Sequence, residues 1–389
     1  MNFPRNAEIW AVPYLRARVK SLFSGRRTVG RAWVCVTDHY EPMWHNADFT
    51  AALERVMSWR AGWPAIAETA PKDSRGARPQ YTFFYPEEQY RTELLRPLAE
   101  MKRAGIADVE VHIHHDREGR EEFIRRMRIF CRILHEQHGL LRERDGRVRF
   151  GFIHGNWALD NSLPGGQWCG LNDEIQILRD LGCYADFTMP SGSSPTQARL
   201  LNSIYWCIDD PERPKSYDEG TPVVAGGGVE GDLMMITGPF GLRWAERWSP
   251  RMEIGELAAG DPPSRYRIRR WFDLAPMIGT DLFVKLHTHG AQERNSRMLL
   301  EGGLRDLFTF FADEVSSRNS KFYYVTAWEM FLAIDAIRQR SDPVQAIGAE
   351  GANSVISLAT TSGPSEAGNT SQSSADNRYI PIAHRDDCE

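Results

Sequence analysis

The segment VEVHIHHD, residues 109–116, carries three histidines and an aspartate in its last five positions. Apolar residues alternate with the others at its start, which is the pattern of a β-strand. Because strand side chains alternate between faces, His112 and His114 share one face, roughly 6.6 Å apart along the strand. Two imidazoles placed in this way can bind one zinc-like divalent ion. We therefore predict that His112 and His114 are metal ligands.

Other residues capable of metal or proton chemistry also follow apolar, strand-like segments. Asp38 and His39 end RAWVCVTDH, and His287 lies near the end of DLFVKLHTHG. In parallel α/β proteins the residues of an active site come from the ends of several strands on one face, so we expect these residues to form one site. The other strand-end residues, which we assign to substrate binding, are His154, Asn156, Trp157, Asp186 and His289.

The elements that must position these residues repeat as strand followed by helix. Strands are predicted at 31–37, 80–85, 108–114, 147–154, 183–189, 281–290 and 321–325. Apolar residues at helical spacing predict helices at 91–105, 120–138, 299–318 and 326–340. Seven strands, most of them separated by helices, indicate an α/β fold with a parallel sheet or barrel.

The same pattern divides the chain into three regions. Residues 1–30 predict a basic N-terminal helix that packs on the domain, with peripheral membrane contact as the alternative. Residues 31–342 carry the strand-and-helix pattern, interrupted at about 196–275 by a β-rich insertion in which DLMMITG is a candidate eighth strand. Residues 343–389 are poor in large apolar side chains, so we predict a disordered tail.

The composition argues against several classes of protein. The net charge of −5 does not suit a general nucleic-acid binder, because a basic excess is needed to neutralise phosphates. No apolar run approaches the roughly 20 residues that cross a bilayer. Six cysteines without paired spacing indicate reduced thiols. We therefore predict a cytoplasmic protein without a transmembrane segment.

Six segments with recognisable motifs occur in a fixed order along the chain: VCVTDH, YTFFY, LAEMKRAGIADVEVHIHHD, FGFIHGNW, YADF and VKLHTHG. From Ala32 to about Ala291 the chain thereby resembles the NodB-type polysaccharide deacetylases, carbohydrate esterase family 4. The resemblance implies a distorted seven-stranded (β/α) barrel and a bound divalent metal. It also implies that Asp38 is the general base, that His39 and His114 bind the metal, and that His287 is the general acid.

The chain departs from the family motifs at three points. His39 stands where the family has a second aspartate, and His154 occupies the region where the family supplies an arginine. The later histidine of the family's second motif falls here at Glu118 or the residue after it. The third metal ligand is therefore open between His112, which we favour from the strand face, and Asp116 or Glu118.

Together these features predict a metal-dependent hydrolase, with zinc as the cofactor, that deacetylates an N- or O-acetylated sugar or polysaccharide. In this hypothesis Asp38 removes a proton from water and His287 protonates the leaving group. Two alternatives stay open. One is an amidohydrolase-like metal hydrolase, although those enzymes usually carry the HxH pair on their first strand. The other is an inactive metal- or carbohydrate-binding protein of polysaccharide biosynthesis.

Overall fold

The protein is described by a computed structural model that covers residues 6–23, 27–246 and 249–348. Its strands are β1 (Arg31–His39), β2 (Tyr81–Pro86), β3 (Ala107–Ile113), β4 (Arg142–Arg144), β5 (Arg147–His154), β6 (Cys183–Asp186), β7 (Ile204–Cys207), β8 (Gly220–Pro222), β9 (Leu233–Ile236), β10 (Gly241–Glu246), β11 (Ser249–Glu253), β12 (Glu256–Leu257), β13 (Met277–Ile278), β14 (Asp281–Thr288) and β15 (Lys321–Tyr324). Its helices are α1 (Ala7–Phe23), α2 (Phe49–Thr69), α3 (Thr92–Arg103), α4 (Arg120–Arg132), α5 (Glu174–Leu181), α6 (Arg265–Leu274), α7 (Glu293–Met298), α8 (Leu304–Ser317) and α9 (Ala327–Arg338). Each of the seven predicted strands is present, and the candidate eighth strand is β9.

Thirteen of the strands form one large, mostly parallel sheet, which confirms the predicted α/β class. Its main path runs β12-β14-β1-β2-β3-β5-β6-β9-β7-β8, and β15 pairs with the first half of β1. Within the described residues the two ends, β12 and β8, are not paired, so the sheet does not close into a barrel, and it contains more strands than the seven of the predicted distorted (β/α) barrel. The reason lies in the insertion, whose strands β7, β8 and β12 extend the two edges of the sheet.

Both faces of the sheet are covered, which explains why its strands read as continuous apolar runs. In β1, Val34 and Val36 face a core shared with helices α2 to α6 and α8. Trp33 and Cys35 point to the other face, into a core shared with α9. Nine of the twelve residues of α9 are buried, as expected for a helix that is apolar all round.

The N-terminal helix packs on the insertion. Trp10 and Tyr14 of α1 are buried against Phe240 and Leu274, and three other apolar side chains of α1 are exposed: Val12, Leu15 and Val19. Among the described residues, no helix combines the length and the apolar character needed to cross a membrane.

The described chain continues past the boundary that we predict at residue 342. Residues 343–348 are helical, and Ile347 is buried in the core around α9. Ordered structure therefore extends at least to residue 348, and the remainder of the predicted tail lies outside the described residues.

Candidate metal centre

The carboxyl ends of β1, β3 and β14 carry the predicted histidines, and parallel pairing through β1 and β2 brings these ends together. The centroid of the His39 ring lies 5.3 Å from that of His112. It lies 6.1 Å from the His287 ring and 4.8 Å from the His289 ring. Four histidines that are scattered through the sequence thus meet at one edge of the sheet.

Three of the side chains at this edge form a set able to hold a metal ion. His39, Glu41 and His112 each offer one ligand atom, and these atoms all lie within 4.8 Å of one another. The Nε2 atoms of His39 and His112 are buried and have no hydrogen-bond partner among the described residues. A buried imidazole nitrogen without a partner is costly unless something binds it, so the donor set fits a divalent ion. We call these three residues the first centre.

The protonation of the first centre suits metal binding. His112 donates its Nδ1 hydrogen to the carbonyl oxygen of Ile153 at 2.8 Å, and this contact directs its Nε2 atom toward Glu41 Oε1, 3.4 Å away. Burial holds the pKa of His39 well below its usual range, so this imidazole is neutral. Burial alone would raise the pKa of Glu41, but His112 and His114 together lower it to about 2. Two imidazoles, of which that of His39 is neutral, and one carboxylate therefore face the same space.

Glu41 is the member of this set that sequence reasoning missed. It lies just past the end of β1, in a turn closed by Pro42. A signal was present, because His39 and Glu41 have the same i, i+2 spacing that identified His112 and His114. Histidine and glutamate at that spacing can share one face of an extended segment.

His114, a predicted ligand, lies at the rim of the first centre. Its Nε2 atom is 3.7 Å from Glu41 Oε1, and its ring centroid is 4.7 Å from that of His112. Its Nδ1 atom hydrogen-bonds to Glu88 Oε1 at 2.6 Å. The side chain is 21% exposed, against 13% for Glu41, so the first centre is open to solvent on this side.

The two carboxylates that we weighed as a third ligand are engaged elsewhere. Asp116 accepts a hydrogen bond from the backbone N–H of Trp168 at 2.6 Å. Glu118 forms an ion pair with Arg126 at 2.8 Å. These two alternatives to His112, the third ligand that we favour, thus have other partners, and the carboxylate that lies beside His39 and His112 is that of Glu41.

Asp38 lies next to His39 in sequence, but its carboxylate has its own partners. Successive side chains of β1 point to opposite faces, and Asp38 lies on the same face as Val34 and Val36. There it accepts hydrogen bonds from the Tyr81 hydroxyl at 2.8 Å and from the Gly290 N–H at 2.6 Å. Burial raises the pKa of Asp38 to about 8, although both donors oppose this shift. The carboxylate thus ties β1 to the turn after β14 that carries His289.

His287, His289 and Trp157 surround the His39 ring. The Nδ1 atom of His287 is buried and has no hydrogen-bond partner among the described residues. Burial keeps the pKa of His287 well below its usual range. The Trp157 ring lies 5.7 Å from the His39 ring and 5.7 Å from the His289 ring, centroid to centroid. These three residues provide a neutral imidazole and an aromatic wall next to the first centre.

Three predicted substrate-binding residues lie in other surroundings. His154 is fully buried, with its Nε2 atom 2.9 Å from that of His115. Those two histidines belong to a second, buried group that could hold a metal ion, completed by Cys169 and Glu174. Asp186 is also buried and accepts hydrogen bonds from Thr188. Asn156 adopts a left-handed backbone, with a φ of 53°, at the start of the turn that carries Trp157.

Comparison of the chain with protein-family models and with curated proteins finds no match.

Proposed function

We propose that this protein is a metal-dependent hydrolase that removes an acetyl group from an N- or O-acetylated sugar. One observation carries the proposal: the unpartnered Nε2 atoms of His39 and His112 converge with Glu41 beside a solvent-exposed rim. Catalytic zinc sites have three protein ligands and keep one position open. We further propose that the fold is an open relative of the deacetylase barrel, in keeping with the ordered motifs of the sequence.

The first centre would hold a zinc-like ion through His39, Glu41 and His112. When bound there, such an ion lowers the pKa of a water molecule and polarises a carbonyl group. The Ile153 carbonyl fixes the orientation of the His112 ring, and such supporting contacts tune a metal site.

We assign proton transfer to His287. Its ring is buried and neutral, and its Nδ1 atom has no competing partner among the described residues. A neutral imidazole can accept a proton from the attacking water and then return it to the departing amine or alcohol. This assignment keeps the predicted acid role of His287 and adds to it the role of base.

Asp38 is given a positioning role in this mechanism. Both of its oxygens accept hydrogen bonds, from Tyr81 and from Gly290. Because Gly290 directly follows His289, the Asp38 carboxylate holds the end of β14 against β1. Trp157 and His289 offer a ring face and a polar edge, a combination that suits a sugar.

The test combines metal analysis with acetate release from a panel of N- and O-acetylated sugars. His39→Ala and Glu41→Gln are expected to lose bound zinc and turnover together. His287→Ala is expected to keep zinc and to lose turnover by on the order of a hundredfold or more. His138→Ala, at a half-buried histidine on another part of the surface, serves as the matched control.

The variant Asp38→Asn distinguishes Asp38 from His287 as the general base. If Asp38 is the base, Asp38→Asn should lose as much turnover as His287→Ala. If Asp38 is a positioning residue, Asp38→Asn should lose distinctly less turnover, because asparagine can still accept a hydrogen bond from the Gly290 N–H and donate one to the Tyr81 oxygen. Wild-type protein that carries full zinc but releases no acetate from any sugar of the panel would refute the deacetylase proposal and favour an inactive binding protein.

A further inference from the structure

A second group of metal-competent side chains shares no residue with the first centre. His115 Nε2 lies 3.1 Å from Glu174 Oε1 and 2.9 Å from His154 Nε2. Cys169 Sγ lies 3.3 Å from Glu174 Oε2. One ligand atom from each of the four residues falls within 4.8 Å of all the others, and all four side chains are buried. The mechanism proposed above uses none of them.

The Nε2 atoms of the two histidines point into the same space, 2.9 Å apart. His154 donates its Nδ1 hydrogen to the Gly155 carbonyl at 2.5 Å, so its Nε2 atom carries a free lone pair. A neutral imidazole with its second nitrogen hydrogen-bonded to a carbonyl is the usual state of a metal-bound histidine.

The hydrogen bonds available to His115 distinguish a group that binds a metal ion from a group held together by hydrogen bonds alone. Without an ion, a hydrogen on its Nε2 atom could be shared between His154 and Glu174. Its Nδ1 atom would then present a bare lone pair in a buried place, 3.9 Å from Glu118 Oε2, and neither atom has a hydrogen-bond partner among the described residues. With an ion at Nε2, the hydrogen moves to Nδ1 and faces that carboxylate, which is the carboxylate–histidine–metal arrangement.

The surroundings of Cys169 also suit a metal ligand. Its Sγ atom accepts the backbone N–H of Asn161 at 3.2 Å and that of Leu171 at 3.5 Å, and these contacts fix the sulfur next to Glu174. The next residue, Gly170, has a φ of +96°, and a Cβ atom there would lie 2.8 Å from the Cα atom of Arg117. Only glycine therefore allows the Cys169 turn to approach the segment that follows His115.

We propose that His115, His154, Cys169 and Glu174 bind a second divalent ion of the zinc class, in a closed structural site. Two imidazoles, one thiolate and one carboxylate supply the four ligands of a tetrahedral zinc ion, and structural zinc sites leave no position open. On binding, the thiol of Cys169 releases its proton to solvent and its sulfur forms the bond to the metal.

This ion would hold together segments that are distant in sequence. His115 follows β3, His154 ends β5, and Glu174 begins α5. Cys169 lies in the long connection between β5 and α5, which also carries Trp157 beside the His39 ring. The second ion therefore fixes the loop that forms the aromatic wall of the first centre.

Cobalt(II) substitution of the purified full-length chain tests the proposal without an activity assay, because a thiolate bound to cobalt gives a near-ultraviolet charge-transfer band. The wild type is expected to bind two ions per chain and to show this band. Cys169→Ser should bind one ion and lose the band. Cys131→Ser, which replaces another buried thiol, should keep both the ions and the band.

His39→Ala distinguishes this proposal from that of the first centre, since it should lose one ion and keep the band. A cobalt-loaded wild type without the thiolate band would overturn the inference, and so would a band that survives in Cys169→Ser. Should Cys169→Ser fail to fold, the wild-type spectrum decides the question alone, because the first centre contains no sulfur ligand.

Discussion

Replacement of Glu253 with glutamine is expected to destabilise the fold by about 3 to 5 kcal/mol. Glu253 is fully buried and accepts hydrogen bonds from Arg267 at 2.8 and 3.0 Å, from Trp271 Nε1 at 2.9 Å and from the Gly255 N–H at 3.1 Å. Arg243 lies 2.8 Å from the same carboxylate. Glutamine keeps the volume of the side chain but removes the buried negative charge next to both guanidinium groups, which then keep the partly exposed Asp261 as their anionic partner.

The magnitude follows from this geometry. Hydrogen bonds that involve a charged group contribute about 1.5 to 3 kcal/mol each, and Glu253 accepts several. Breaking a buried ion pair costs about 3 to 5 kcal/mol, since the remaining charge is not solvated. The loss is a large part of the total stability of about 5 to 15 kcal/mol that is usual for a folded domain.

The effect depends on pH in a defined direction. Burial alone would raise the pKa of Glu253, but Arg267 holds it below its usual value. The stabilisation is therefore complete above the pKa of an unfolded glutamate, about 4.3. It is lost as the pH falls through the lower pKa of the folded state. The difference between wild type and variant should shrink accordingly in acid.

Urea denaturation followed by tryptophan fluorescence measures the free energy of unfolding of both proteins. Glu122→Gln is the matched control, because its ion pair with Arg125 is exposed and is expected to contribute at most about 1 kcal/mol. The Gly255 carbonyl accepts the backbone N–H of His287 at 3.0 Å, so the Glu253 variant should also lose turnover. A loss of stability no larger than that of the control would refute the reasoning.

Three further predictions concern the surroundings of the first centre. Gly290→Ala should cost about 1 to 3 kcal/mol, because its Cβ atom would lie 2.1 Å from Asp38 Oδ2. Gly119→Ala, where the space is open, should change stability by less than about 0.5 kcal/mol in the same thermal melts. Tyr81→Phe should cost about 1 to 3 kcal/mol, since it leaves a buried oxygen of Asp38 without its donor. An unchanged unfolding free energy would show that the hydroxyl is dispensable. Trp157→Ala should raise KM for the active sugar several-fold and leave the zinc content unchanged, and an unchanged KM would remove Trp157 from the substrate site.

The strands of the central sheet could be predicted because helices cover both of its faces, so that each strand stands out as an apolar run. Whether the sheet closes could not be predicted in this way. Closure depends on which strands occupy the two edges, and β7, β8 and β12 reach those edges from within the insertion. Their pairing is decided by tertiary contacts that local periodicity does not contain.

The histidines of the first centre could be predicted for a related reason, since the ends of parallel strands meet at one edge of a sheet. Glu41 could not be found by this rule, because it lies in the turn beyond the strand. The second metal-competent group is even harder to predict from the sequence. Glu174 is 59 residues from His115, and neither Cys169 nor Glu174 has a spacing typical of a local metal motif. Only the path of the connection between β5 and α5 brings these residues together.

The position of β1 inside the sheet, between β14 and β2, has a consequence for synthesis of the protein. β1 pairs with β14 from Arg31↔Asp281 to Asp38↔Thr288, and Arg31 and Asp281 are 250 residues apart in the chain. At about 5 to 20 residues per second, the ribosome needs roughly 12 to 50 s to make the partner of a strand that has already emerged. Throughout that interval one hydrogen-bonding edge of β1 is exposed on the nascent chain. Strand pairing over such long separations is also slow. The growing polypeptide therefore carries this edge without its native partner until residues 281–288 leave the exit tunnel.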